Sequence, residues 1–241
     1  MMKLGLIKYH LLALLREPIT MFLGFGLPFV VLFMMSGQIG ANDNPAIIDG
    51  ALGVLIVMAI TVLCFNDSAY SHAYTRQIKF LRRLRMTAVK PWHYIATGIV
   101  SRLGIMFLFV GVLVAVMHLG FDMSLSERNW TLLISLSVLT FVMFYLIGMF
   151  IANLSKNAKM SQGLAMAAYF LLLTLGGMMF PIENMPEGLQ SIANFLPTAF
   201  AITTLQNAWM GTSILDGYYL IAMIATTVVF GLLSVKFFKY E

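Results

Sequence analysis

Six stretches of this chain are long and apolar enough to cross a lipid bilayer, and that spacing excludes most other folds. A hydrocarbon core of about 30 Å takes roughly 20 apolar residues in helical form. Helix is the form required, because N–H and C=O groups in lipid must bond within their own segment. The stretches lie at about 19–38, 47–70, 95–119, 130–154, 160–180 and 218–238, with short polar breaks between them. Of the 241 residues 60% are hydrophobic and only 10% charged, outside the range of soluble domains. The expectation is a single all-α integral membrane domain with six transmembrane helices.

Ahead of the first stretch, Leu4, Ile7, Leu11, Leu14 and Leu15 recur at helical spacing, with Lys3, Lys8, His10 and Arg16 mostly off that stripe. This predicts a helix over 1–17 lying in the interface plane. It is not read as a signal peptide, since Lys8, His10 and Arg16 interrupt the apolar run and no small-residue cleavage site follows. Pro28 predicts a kink in the first span.

Orientation follows from charge, because Lys and Arg concentrate in cytosolic loops. With six spans, Lys3, Lys8, Arg16, Lys156, Lys159, Lys236 and Lys239 fall on one side, together with the block from Tyr74 to Tyr94. Only Arg128 falls opposite, where Asp43, Asp122, Glu127, Glu183, Glu187 and Asp216 lie. Both termini are expected in the cytosol, the chain crossing the plasma membrane repeatedly. The net charge of +5 sits beside the spans, so anionic lipid and topology account for it and nucleic acid is not expected as a partner. The single cysteine, Cys64, allows no disulfide framework.

Little in the chain supports catalysis. It contains no GxxxxGK[ST] phosphate loop, no HExxH, no Cys/His cluster and no Gly-x-Ser-x-Gly. His10, His72, His93 and His118 are scattered and are read as interfacial side chains. No catalytic and no metal site is expected.

The Tyr74–Tyr94 block holds Arg76, Lys79, Arg82, Arg83, Arg85 and Lys90, six of the 15 basic residues, and no acid. Ile78, Leu81, Leu84 and Ala88 recur every three or four residues, predicting an amphipathic helix over 75–90 parallel to the membrane. Pro91 is read as its end, with Trp92 and Tyr94 as an interfacial anchor. Such a helix either holds lipid headgroups or docks a cytosolic protein. Two charges lie near span interiors, Asp67 and Arg102. Buried charges are costly unless paired or hydrated, so Arg102 either pairs with Asp67 or snorkels to the interface. The segment 181–210 is too apolar for a solvated loop, and Pro197 divides it into pieces too short to span. It is read as a pair of short re-entrant helices, the first opened by Pro186 and carrying an apolar stripe of Leu189, Ile192 and Leu196. Met34, Met35, Met178, Met179 and Phe180 gather at the same membrane face, as helix packing or as a flexible gate.

This order of parts resembles the permease subunit of ABC-2 type transporters. The resemblance covers essentially the whole chain: Arg16-Glu17-Pro18 closing the N-terminal helix, six spans, the basic run Leu81-Arg82-Arg83-Leu84-Arg85 through Pro91, and Phe180-Pro181 with Met185-Pro186, Leu189 and Pro197. Gln77 and Ile78 stand where relatives often carry Glu and Gly. The resemblance implies an elbow helix around Arg16, Glu17 and Pro18, and a cytosolic coupling helix with Lys79, Leu81, Arg82, Arg83, Leu84 and Arg85. It also implies an outer gate at Phe180, Pro181, Met185, Pro186 and Leu189. Two permease copies or paralogues would pair with separate ABC ATPase subunits that bind ATP and Mg²⁺, this chain holding no cofactor of its own. Export of an amphiphilic substrate such as a drug, antibiotic or lipid is the implied activity, with polysaccharide export as the alternative. A secondary carrier is the competing class, but it would show polar residues at midspan or a repeat between halves, and neither is evident.

Overall fold

The computed structural model describes residues 26–34, 45–81, 91–121, 123, 129–211 and 217–238. Among them the regular elements are all helical: α1 (26–34), α2 (Pro45–Gln77), α3 (Pro91–Phe121), α4 (Trp130–Leu154), α5 (Ala158–Leu175), a 3₁₀ turn (Ile182–Asn184), α6 (Glu187–Ala193), α7 (Pro197–Met210) and α8 (Tyr218–Lys236). Five of these helices, α2, α3, α4, α5 and α8, are long and apolar enough to cross a membrane. Of the expected first span only α1 falls within the described residues. The helix expected over 1–17, with Arg16, Glu17 and Pro18, lies outside them.

α2 is the central helix. Of its apolar stretch 88% is buried, against 11% in α8, and α3, α4, α5 and α7 all pack on it. Leu52, Leu55, Ile56, Met58 and Phe65 of α2 meet Phe109 and Leu113 of α3 and Phe141 and Phe144 of α4 in one apolar core. Lipid tails are as apolar as leucine, so close packing rather than escape from water holds such helices together. Hydroxyls within this core are satisfied locally: Thr61 Oγ1 donates to the Val57 carbonyl (2.6 Å), Thr140 Oγ1 to Leu136 (2.8 Å) and Thr204 Oγ1 to Phe200 (2.6 Å).

Three boundaries differ from the sequence reading. α2 does not stop near residue 70 but runs to Gln77, because Ser68, Ser71, His72 and Thr75 face other helices rather than lipid and are buried. Pro91 opens α3 instead of closing the preceding segment, since a proline at the first helical position lacks only an N–H that would have no partner there. Tyr94 is therefore a core residue, 2% exposed, while Trp92 is exposed. The fifth span ends at Leu175 rather than 180: Gly176 caps it and Gly177 takes φ +82°, a conformation that glycine adopts without strain. The helix expected over 75–90 does not begin at Thr75. Thr75 to Gln77 belong to α2, the chain breaks at Ile78–Lys79 with Lys79 at φ +58°, and helix resumes at Phe80 and Leu81. Arg82, Arg83, Leu84 and Arg85 lie outside the described residues.

At the opposite pole the segment after α5 folds into the 3₁₀ turn, α6 and α7. Pro197 starts α7 and Gly211 ends it at φ +71°. α7 buries Phe200, Ile202, Leu205 and Trp209 against α2, α4 and α8, and Trp209 meets Trp130 edge to face at 5.4 Å. The Leu189 and Ile192 face of α6 is exposed and only Ala193 is buried, so its stripe faces outward rather than into the protein.

Candidate functional site

The last three turns of α2 read Asp67-Ser68-Ala69-Tyr70-Ser71-His72-Ala73-Tyr74-Thr75-Arg76-Gln77. Side chains four apart stack on one helix face, so this stretch contains three rows, and each meets a different neighbour. Asp67, Ser71 and Thr75 face α3, Ser68, His72 and Arg76 face α4, and Ala69, Ala73 and Gln77 face α5.

In the first row the Arg102 guanidinium forms an ion pair with Asp67 through Nε. Its Nη2 donates to Ser71 Oγ (3.3 Å) and its Nη1 to the Gly98 carbonyl (3.1 Å). The group lies 5.6 Å from the centre of the Tyr145 ring on α4. Both charges are buried, and the pair with its added bonds offsets part of the cost of taking them out of water. At the end of the row Thr75 Oγ1 donates to the His72 carbonyl (2.8 Å), so the Tyr94 hydroxyl is the donor in its 3.1 Å contact with Thr75.

In the second row His72 Nε2 lies 2.9 Å from Asn153 Oδ1. Asn153 Nδ2 donates to the Ser234 carbonyl (3.3 Å), which leaves its oxygen as the acceptor and puts the proton of His72 on Nε2. Ser234 Oγ in turn donates to the Leu146 carbonyl (3.0 Å), so α2, α4 and α8 are tied through one chain of bonds. Phe238, just past α8, packs its ring 5.0 Å from His72. One turn on, Arg76 Nη2 donates to the Ser155 carbonyl at the end of α4. The third row is tighter: Ser161 Oγ donates to the Ala69 carbonyl (2.8 Å), Ala73 packs with Ala152 and Ala158, and Gln77 Oε1 accepts from the Ala158 N–H (3.3 Å).

Together the rows bind α2 to α3, α4, α5 and α8 within the three turns that lead into the Ile78–Lys79 break. This clamp includes the candidates Asp67 and Arg102, which the structure brings together. It also includes Ser71, Thr75, Asn153, Ser155, Ser161 and Ser234, which the sequence reading did not single out, and His72, Arg76 and Tyr94, which it assigned to the interface or to the basic block. Their signal is in the sequence: polar residues recurring at i, i+4 and i+8 inside an otherwise apolar helix. His72 is thus an internal tie rather than an interfacial side chain. Of the basic segment, Lys79 is exposed at the break and Leu81 is fully buried.

The residues proposed for the outer gate lie around the 3₁₀ turn and α6. Phe180, Pro181, Pro186 and Leu189 are exposed and Met185 is half-buried. Gln190 Nε2 bonds the Met185 carbonyl (2.7 Å), fixing the Pro186 corner. Beside them a cavity of about 220 Å³ opens between α2 and α7, lined by Gly50, Val54, Gly177, Ile182, Glu183 and Gln206 among others. Gln206 Nε2 closes its base on the Gly50 carbonyl (2.8 Å). Among the described residues no group of His, Cys, Asp and Glu could hold a metal ion.

No curated protein shows significant similarity to the chain. The family model described as ABC-2 type transporter matches residues 5–210, a span that takes in the central helix, its clamp apart from Ser234 of α8, and the short helices of the opposite pole. This chain belongs to the ABC-2 type transporter family and is a multi-pass membrane component of an ABC-type transporter.

Proposed function

We propose that this chain is the permease subunit of an ATP-driven exporter for an amphiphilic substrate, powered by separate ATPase subunits that bind ATP and Mg²⁺. The clamp carries this reading. A push on the basic segment after Gln77 meets a helix tied to four others within three turns, so the displacement passes to α2, α3, α4, α5 and α8 together. Soft packing at that point would dissipate it.

In this reading the basic pole faces the cytosol, Lys79, Leu81, Arg82, Arg83, Leu84 and Arg85 meet the ATPase, and the 3₁₀ turn and α6 form the outer gate. The exposed apolar faces of α5 and α8 are available to lipid and to a second permease copy. The energy source is expected in a partner because the chain has no phosphate loop.

The test is the double variant Arg82→Glu/Arg83→Glu in the complex reconstituted with its ATPase. Transport is expected to fall about tenfold or more, since like charges brought together at an interface cost several kcal/mol. Membrane insertion should be unaffected. Unchanged transport by the double variant would reject the coupling role, and ATPase stimulation across drugs, lipids and glycans would then separate the substrate classes.

A further inference from the structure

Arg76 is 7% exposed, and its guanidinium is only half used. Nη2 donates to the Ser155 carbonyl, while Nη1, in the same planar group and so at the same turn, is buried with no acceptor. Arginine keeps its charge in proteins, and a buried donor left unpaired is costly. Asp67 does not supply the missing acceptor, since it belongs to Arg102 two to three turns deeper.

The surroundings of Arg76 describe the missing group. Ser155 begins the short connection into α5, where Lys156 and Lys159 are exposed. The first turn of α5 carries no acid; Asn157 and Gln77 cap its first N–H groups with neutral oxygens, so its positive end meets no negative charge. Leu154 and Met160 on either side of the lysines are exposed and apolar. α2 and α4 end here and α5 begins here, and all three are long and apolar enough to cross a membrane, so the corner sits at one end of a set of spans. Basic groups beside an apolar flank suit an anionic head joined to acyl chains, whereas an acidic peptide would have no use for that flank.

We propose that the Arg76–Lys156–Lys159 corner is a binding site for the phosphate of an anionic phospholipid, whose headgroup locks the α2 end of the clamp to the α4–α5 connection. The test uses the full chain purified in neutral detergent, with phosphatidylglycerol, phosphatidylcholine and inorganic phosphate added separately, and binding read by native mass spectrometry and by thermal stabilisation. Phosphatidylglycerol should bind and stabilise, while phosphatidylcholine and inorganic phosphate should not. Arg76→Gln is expected to weaken phosphatidylglycerol about tenfold, as loss of one charge-assisted contact implies. Should that variant fold poorly, Lys156→Gln/Lys159→Gln, both on the surface, should still weaken it about fivefold. Equal binding of the two lipids, binding of inorganic phosphate as tight as that of the lipid, or full phosphatidylglycerol affinity in the lysine variant would overturn the proposal. So would loss of ATPase binding in the lysine variant with lipid binding intact, which would identify a protein carboxylate as the occupant.

Discussion

Arg102→Leu is expected to be the most damaging single change in the membrane interior. It removes the partner of Asp67 and leaves a buried carboxylate without compensation, at a cost of about 3–5 kcal/mol. The Ser71 hydroxyl and the Gly98 carbonyl lose a donor at the same time. Asp67→Leu should cost a similar amount by stranding the guanidinium. The double variant Asp67→Leu/Arg102→Leu should lie closer to the parent than either single, because an ion pair replaced as a unit by apolar side chains strands no charge. Melting of the detergent-solubilised chain, read as a double-mutant cycle, decides the matter. Additive losses would mean that the two charges do not depend on each other.

A comparable loss is expected where two helices touch without a side chain between them. Gly148 of α4 faces Ser68 and the Cys64 carbonyl of α2, and a Cβ built on it meets the Ser68 hydroxyl at overlap distance and that carbonyl oxygen at 3.1 Å. The serine can rotate, but the α2 backbone cannot move without its three rows. Gly148→Val should therefore destabilise by about 1–3 kcal/mol, because small residues are what allow helices to approach so closely in a membrane. The same change should loosen the adjacent Asp67–Arg102 pair. Gly148→Ala should show a smaller part of both effects. A melt identical to the parent for Gly148→Val would show that the α2–α4 contact yields, and the rigid-transfer account of the clamp would fail with it.

Apolar length alone was enough to indicate five helices long and apolar enough to cross a membrane, since the requirement of about 20 apolar residues is set by the bilayer and not by any neighbour. Pro197 was read as the divider between two short helices, and it opens the second of them, α7. Pro91 was misplaced because a proline can end one helix or open the next, and which of the two occurs depends on whether the following turn packs. Here it packs through Tyr94 and Thr75.

The clamp shows where local reading stops. Polar residues from Asp67 to Gln77 resemble a helix end when only lipid or water is imagined around them, and the spacing of four that sorts them into rows has no meaning until three neighbours stand at the right angles. Asp67 and Arg102 could be named as a possible pair because a charge inside a span demands some remedy, but the choice between pairing and snorkelling is made by the position of α3 against α2. His72, Asn153 and Ser234 are 81 residues apart at each step, and only the packing of α4 between α2 and α8 makes them one chain of bonds. A sequence of this kind thus states the membrane, the all-helical architecture and the pole where basic charge collects, because each depends on solvent and residue type alone. Which polar groups become internal ties is decided by tertiary contact, since a hydrogen bond between helices exists only where a second helix supplies the partner.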